Sequence, residues 1–265
     1  HKALHSFPTR RSSDLALFIG SGWKIGEGRD LLPVVDPARG ETIAEVPLAT
    51  PADLDEALVT ADARFREWRS VAPEARAAVL RKTAALLRER ADVIGRTLTL
   101  EQGKPFAEAR AEAISSASFF DWCAEEAVRI YGRVLPRPSG QRSIVIRQPV
   151  GPVAAFSPWN FPVYLMAKKL APALAVGCSV IAKPPEETPG CTGMLLRCLL
   201  DAGLGGVLPG DLGGFLAGLG LGGGGLGSGG FDRRGDGEAE RQRCAADHQD
   251  LQKHAFDPCW RIDRG

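Results

Sequence analysis

The sequence predicts an α/β domain built on a parallel sheet, and three observations carry that prediction. Between Pro152 and Ala202, two short aliphatic runs alternate with two helical patterns, the strand, helix, strand, helix order of a parallel βαβ unit. Upstream, apolar residues recur at helical spacing behind recognisable start signals, which gives a helical layer to cover such a sheet. After Leu204 the pattern stops, and glycine and leucine dominate up to Gly230. The chain therefore divides into a leader (1–14), a coherent domain (15–204) and a glycine-rich tail (205–265).

The leader carries no hydrophobic period, and its run FPTRRSSDL resembles a translated adaptor, so it is set outside the fold. The first strands are expected in VVDPARGETIAEVPLA (34–49), where β-branched residues alternate with polar ones around a turn at Pro37 and Gly40. Thr50 then precedes Pro51, with Asp53 three residues on, an N-cap pattern that starts a helix to about Trp68. Further helices are expected over 73–90 and 92–101, with Gly103, Lys104 and Pro105 stopping the second, and from Phe106 to about Tyr131. Phe119, Phe120 and Trp122 bring large apolar area to the last of these and are read as core.

RSIVIRQ (142–148) alternates charged and aliphatic residues and reads as one half-exposed strand, suited to pairing with another subunit. PVAAFS (152–157) and SVIAKP (179–184) are the two sheet strands, and 163–176 and 188–202 the helices that follow them. In an open parallel sheet, ligands bind beyond the carboxyl ends of the strands. Attention therefore falls on the two loops that start there.

The first loop reads Ser157, Pro158, Trp159, Asn160, Phe161, Pro162, and its two prolines stiffen it. An Asn amide held there can donate to an oxygen that becomes negative during reaction, or it can satisfy loop carbonyls. The second loop reads Lys183, Pro184, Pro185, Glu186, Glu187, Thr188, Pro189. Lys183 can donate to ribose hydroxyls or phosphate and Glu186 can accept from ribose hydroxyls; a solvated Lys and a helix-start Glu are the plainer alternative. No GxGxxG follows either strand.

Composition narrows the function classes. Lys plus Arg number 33 and Asp plus Glu 32 in 265 residues, so no net field draws nucleic acid or an anionic membrane, and a small-molecule substrate is expected. No apolar stretch approaches bilayer length, which points to the cytoplasm. The six cysteines show neither CxxC pairing nor histidine partners, so they are read as reduced thiols, with Cys178 a small buried hydrophobe. No metal site is expected.

The runs PVGPVAAFSPWNFP and KKLAPALAVGCSVIAKPPEETP resemble the cofactor-domain entry of the aldehyde dehydrogenase superfamily. FIGSGW, VVDPARGETIAEVP, TLEQGKPFAEARAE and FFDWCAEEAVRIYG resemble its succinate-semialdehyde dehydrogenase branch, colinearly over about 17–204. The resemblance implies a Rossmann-like, incomplete cofactor domain, a homo-oligomeric parent and oxidation of an aldehyde, succinate semialdehyde by branch, to its acid. It implies Asn160 as an oxyanion donor, Trp159 beside the nicotinamide, Lys183 and Glu186 on the adenosine ribose, and Ser157 in the same cofactor set. A carboxylate at Glu186 repels a ribose 2′-phosphate, which favours NAD, with NADP the alternative.

The chain also departs from that pattern. Lys168 stands where succinate-semialdehyde members carry an Arg for the substrate carboxylate; it keeps the charge and loses the bidentate fork. The family's nucleophilic Cys, general-base Glu and FTGS loop fall beyond Leu204 and are not found, so the chain is expected to be a fragment that at most binds nucleotide or pairs with intact subunits. The tail is expected to be a frame-shifted, disordered reading of the normal continuation, with no role for Cys244, His248, His254 or Cys259. With GC-rich codons, FDPCWRIDRG shifts by one nucleotide to STRAGASIG, which resembles the segment after the family's FTG. A natural flexible linker is the other reading. An RNA-binding tail is disfavoured by its few arginines and interspersed acids.

Overall fold

The computed structural model describes residues 15–19, 22–24, 28–204 and 260–262. Its organising layer is helical: α1 (Pro51–Trp68), α2 (Pro73–Glu89), α3 (Ala91–Gln102) and α4 (Phe106–Ala127). α2, α3 and α5 (Pro162–Val176) all pack on α4, and α5 also touches α2. Leu80, Leu87, Leu98, Phe120, Met166 and Leu174 are fully buried at the centre of this main core.

The helices begin where local chemistry says they should. Thr50 accepts from the Asp53 N–H at 3.2 Å while the Asp53 carboxylate takes the Thr50 N–H at 2.8 Å, a reciprocal box that satisfies two orphan donors of α1. Proline opens α1, α2, α5 and α6 (Pro189–Asp201), where its missing N–H is not needed. α4 ends at Ala127 rather than near Tyr131, because the following residues turn into β5 (Arg133–Leu135). A Cβ at Gly132 would lie 2.5 Å from the Val145 carbonyl oxygen, so that turn depends on glycine.

The parallel unit forms as expected. β8 (Val153–Phe156) pairs in parallel with β9 (Val180–Lys183), Val153 opposite Val180 and Phe156 opposite Lys183, with α5 as the crossover. Gly177 ends α5 in the left-handed conformation, φ 101°, and lets the Cys178 N–H reach the Ala173 carbonyl at 2.9 Å. Two long-range bonds seat this unit on α1: Trp68 Nε1 donates to the Leu174 carbonyl at 2.9 Å, and Ser179 Oγ to the Ala61 carbonyl at 2.7 Å. The chain is an α/β protein.

The outer strands bring additions and corrections. β3 (Leu31–Val35) and β4 (Thr42–Pro47) make the expected hairpin around Gly40. β1 (Leu17–Ile19) and β2 (Gly22–Lys24) make another, burying Leu17 and Ile19 against α1 and Ile181. RSIVIRQ is not one strand. β6 (Ser143–Val145) pairs with β5, whereas β7 (Arg147–Pro149) pairs with β10 (Trp260–Ile262), so the ladder breaks at Ile146 where the partner changes. β10 lies inside the stretch expected to lack regular structure, and the unpaired edge of β7 gives it a template. The rest of the tail and the leader lie outside the described residues. Phe119 and Phe120 are core, but Trp122 is 39% exposed and stacks on Phe119 at the edge of α4.

Candidate functional site

β8 and β9 end side by side, and the Ser157 N–H extends their ladder by one bond to the Lys183 carbonyl at 3.3 Å. Both loops singled out in the sequence therefore leave the sheet from adjacent points. Their shape is imposed from α3 and α4. The Glu101 carboxylate, buried, accepts the N–H groups of Gly190 at 2.7 Å and Cys191 at 2.9 Å in the first turn of α6. Glu112, also buried, accepts those of Val163 at 3.0 Å and Tyr164 at 3.2 Å in the first turn of α5. The N-cap residues Phe161 and Thr188 make no side-chain cap, so these remote carboxylates satisfy the orphan donors.

Between the two acids sits the α3–α4 turn. Gly103, at φ 81°, reverses the chain so that Gln102 and Lys104 point at the first loop. Gln102 Nε2 donates to the carbonyls of Asn160 at 2.8 Å and Trp159 at 3.2 Å, and Lys104 Nζ donates to the Asn160 carbonyl at 3.0 Å. Lys104 also pairs with Glu112 at 2.7 Å and lies 3.8 Å from the centre of the Phe161 ring. The backbone of Trp159 and Asn160 is pinned from behind, and both residues are exposed. Their side chains stay available.

In the second loop Lys183 Nζ pairs with Glu186 Oε1 at 3.1 Å. Both groups lie at the carboxyl end of β9, and Glu186 lines a shallow depression of about 270 Å³ with Leu32, Pro33, Val35 and Glu187. Ser157 Oγ is buried and has no hydrogen-bond partner among the described residues, an unmet polar group at the strand end. Lys168, two turns into α5, is half-buried with its ammonium 4.8 Å from the Tyr164 ring, and burial pushes its pKa down. Among the described residues no ion pair or hydrogen bond joins Lys168 to either loop.

Four cysteines are described, Cys123, Cys178, Cys191 and Cys198; all are buried and none forms a disulfide among the described residues. Burial pushes the Cys178 thiol up, takes Cys198 to about 11, and with the neighbouring Glu101 raises Cys191 well above the ordinary value. None is a ready thiolate. Cys244 and Cys259 lie outside the described residues. Among the described residues no helix is long and apolar enough to cross a membrane.

The sequence reading found the loops and missed what holds them. Glu101, Gln102, Lys104 and Glu112 all lie in TLEQGKPFAEARAE, which was read only as a helix stop and as part of the resemblance. The available signal was two acids, Glu101 and Glu112, at apolar helical positions, since such residues are seldom buried without partners.

Comparison with known proteins places the chain in a family. The profile of the Aldehyde dehydrogenase family matches residues 23–210. A 4-(hydroxymethyl)benzenesulfonate dehydrogenase from Comamonas testosteroni is 48% identical over 184 residues, 69% of this chain and 39% of the relative. A succinate-semialdehyde dehydrogenase [NADP(+)] from Escherichia coli (strain K12) is 38% identical over 187 residues, covering 70% of this chain and 39% of its own length. The crystal structure of aldehyde dehydrogenase from Brucella melitensis biovar abortus 2308 superposes with a TM-score of 0.73 at 38% identity, over 81% of this chain and 43% of that one. The chain thus spans about two fifths of the length of the curated relatives it matches. With two loops leaving the ends of one parallel strand pair and a family profile running through both, the chain belongs to the aldehyde dehydrogenase family.

Proposed function

We propose that this chain is the amino-terminal, dinucleotide-holding portion of an NAD(P)-dependent aldehyde dehydrogenase whose parent oxidises a semialdehyde to its acid. The supporting observation is that the α3–α4 turn holds the backbone of the first loop while Glu101 anchors the helix after the second, with Asn160 presented on one and the Lys183 and Glu186 pair on the other. In this reading Asn160 donates its amide to the developing oxyanion. Trp159 offers an exposed apolar face to the nicotinamide. Lys183 and Glu186 exchange their mutual pair for the adenosine ribose hydroxyls, and the unmet Ser157 hydroxyl adds a polar contact at the strand end. A bound dinucleotide supplies the hydride acceptor.

The finer assignments follow from charge. The Glu186 carboxylate opposes a 2′-phosphate, which favours NAD over NADP for this chain, although the Escherichia coli relative is named for NADP(+). Lys168, a half-buried cation that forms no ion pair among the described residues, is assigned to the substrate carboxylate, with succinate semialdehyde as the substrate. The parent is taken to be a cytoplasmic homo-oligomer.

A second reading concerns the 265-residue chain itself: a non-catalytic fragment that binds nucleotide weakly or pairs with intact subunits. It is favoured by the cysteines, because every described thiol is buried and none is poised for attack. Calorimetric titration with NAD and NADP, on the chain and on Lys183→Ala, tests the cofactor assignment. Weaker binding of NADP than of NAD and a loss on Lys183→Ala are expected; equal binding by the variant removes Lys183 from the site. In an intact relative, replacing the residue matching Asn160 by Ala is expected to lower turnover by about tenfold or more. Dehydrogenase turnover by this chain alone would overturn the fragment reading.

A further inference from the structure

A backbone carbonyl has two lone pairs, and the Asn160 carbonyl accepts two donors. Gln102 Nε2 reaches it at 2.8 Å and Lys104 Nζ at 3.0 Å, from side chains on either side of Gly103. Gln102 Nε2 also donates to the Trp159 carbonyl at 3.2 Å. The two carbonyls belong to the peptide planes on either side of the Asn160 Cα. Because a peptide unit is planar, holding both planes fixes φ and ψ of Asn160 and with them the direction of its Cα–Cβ bond.

That double contact leaves Gln102 Oε1 buried with no hydrogen-bond partner among the described residues. Turning the amide over would set this oxygen against two carbonyl oxygens, so the loop dictates its orientation. Buried polar groups are as a rule satisfied, and exceptions gather where function sets the geometry. Lys104 ties the same plane to the helix that follows. Its ammonium pairs with Glu112 at 2.7 Å, and Glu112 accepts the Val163 and Tyr164 N–H groups at 3.0 and 3.2 Å. Asn160 is nonetheless exposed, and none of these bonds touches its side-chain amide. What grips the residue grips its backbone.

We propose that Gln102 and Lys104 are positioning residues for the reaction, acting through the Asn160 backbone to aim its side-chain amide; this rests on the reading of Asn160 as the oxyanion donor. A donor whose Cα–Cβ direction is already set needs little reordering as charge develops on the oxygen it meets. One that swings with its loop must be ordered at that moment. Neither Gln102 nor Lys104 has to touch the substrate.

The clamp is tested on the purified chain without turnover, by NMR relaxation of the Asn160 and Phe161 backbone amides. Order parameters of about 0.85 are expected in the parent chain and below about 0.6 in Gln102→Leu. Lys104→Met alone leaves the Glu112 carboxylate buried without its cation and endangers folding, so the lysine is tested as Lys104→Met with Glu112→Gln. Order parameters unchanged in both variants overturn the proposal. The catalytic arm uses an intact relative with the same Gln, Gly, Lys and Asn residues. There the change matching Gln102→Leu is expected to lower kcat about tenfold with KM little changed. In a background already carrying the change matching Asn160→Ala, it is expected to cost no further turnover, because its effect passes through that amide. A merely structural role would cost the same in both backgrounds, and that additivity overturns the positioning role. Turnover unaffected by the Asn160→Ala change on its own overturns instead the donor reading beneath it.

Discussion

The two crevice loops are built alike and balanced differently. Each precedes a helix whose first N–H groups are taken by a buried glutamate from the helical layer, Glu112 for α5 and Glu101 for α6. Glu112 has a counter-charge in Lys104, and the same lysine and Gln102 grip the loop carbonyls. Glu101 has none among the described residues. Desolvation raises its carboxyl, only partly opposed by the bonds from Cys191 and Gly190. The loop that offers Asn160 is thus held at its backbone, while the loop carrying Lys183 and Glu186 is anchored only where its helix begins. A donor that must meet a developing charge needs the first arrangement; residues that close on a ribose tolerate the second.

Breaking the paired side should have the largest effect. Glu112→Ala strands the Lys104 ammonium and two helix N–H groups in a buried site, and a loss of about 3–5 kcal/mol is expected in urea unfolding. A loss under about 1 kcal/mol would mean that solvent already reaches the pair. Gly190→Ala attacks the other side: its Cβ would stand 2.5 Å from Glu101 Oε1, and the carboxylate must move or the helix shift. About 1–3 kcal/mol of destabilisation is expected from the same measurement.

The pH dependence sharpens the contrast. Because the Glu101 pKa is raised in the folded chain, its contribution is fully present below the ordinary value of 4.5 and is lost as pH rises through the folded value. Glu101→Gln should therefore gain on the parent chain as pH climbs above about 4.5. Urea midpoints that run parallel across this range would remove Glu101 as an uncompensated acid. Asp53 is the control of opposite sign. The Arg29 guanidinium, with Lys24 and Thr50, holds its carboxyl well below the usual range, so its stabilisation is present above 3.8 and fades as pH falls below it. The smallest effect is a gain: Gly193, inside α6 with open space around its Cβ position, should stabilise the chain by about 0.5–1 kcal/mol on mutation to Ala. Opposite signs at Gly190 and Gly193, three residues apart, would separate helix propensity from the Glu101 contact.

What could be read from the sequence was local. α1 carries its start in Thr50, Pro51 and Asp53, and the parallel unit shows itself because each strand is a short aliphatic run followed by a proline-rich loop. The loop residues were equally visible, since strand ends in parallel sheets are where ligands gather. The clamps were not. Glu112 meets Val163 across 51 residues and Glu101 meets Gly190 across 89, and no period or cap signal reports such a pairing. The division of RSIVIRQ at Ile146 was hidden for the same reason, because it depends on two different partner strands.

The parallel pair of strands also has a consequence for the chain in bulk solution. Val153 and Ser157 donate their N–H groups to β9, so by the alternation of a parallel ladder Ala154 and Phe156 turn theirs outward. β9 is wrapped by protein, but Ala154 and Phe156 are exposed, and among the described residues nothing pairs with that side of β8. Four residues of apolar, unprotected edge act as a template for any extended segment that meets them. Among the described residues that edge is the place where a second extended segment would add to the sheet, so strand-to-strand association is expected to grow with concentration.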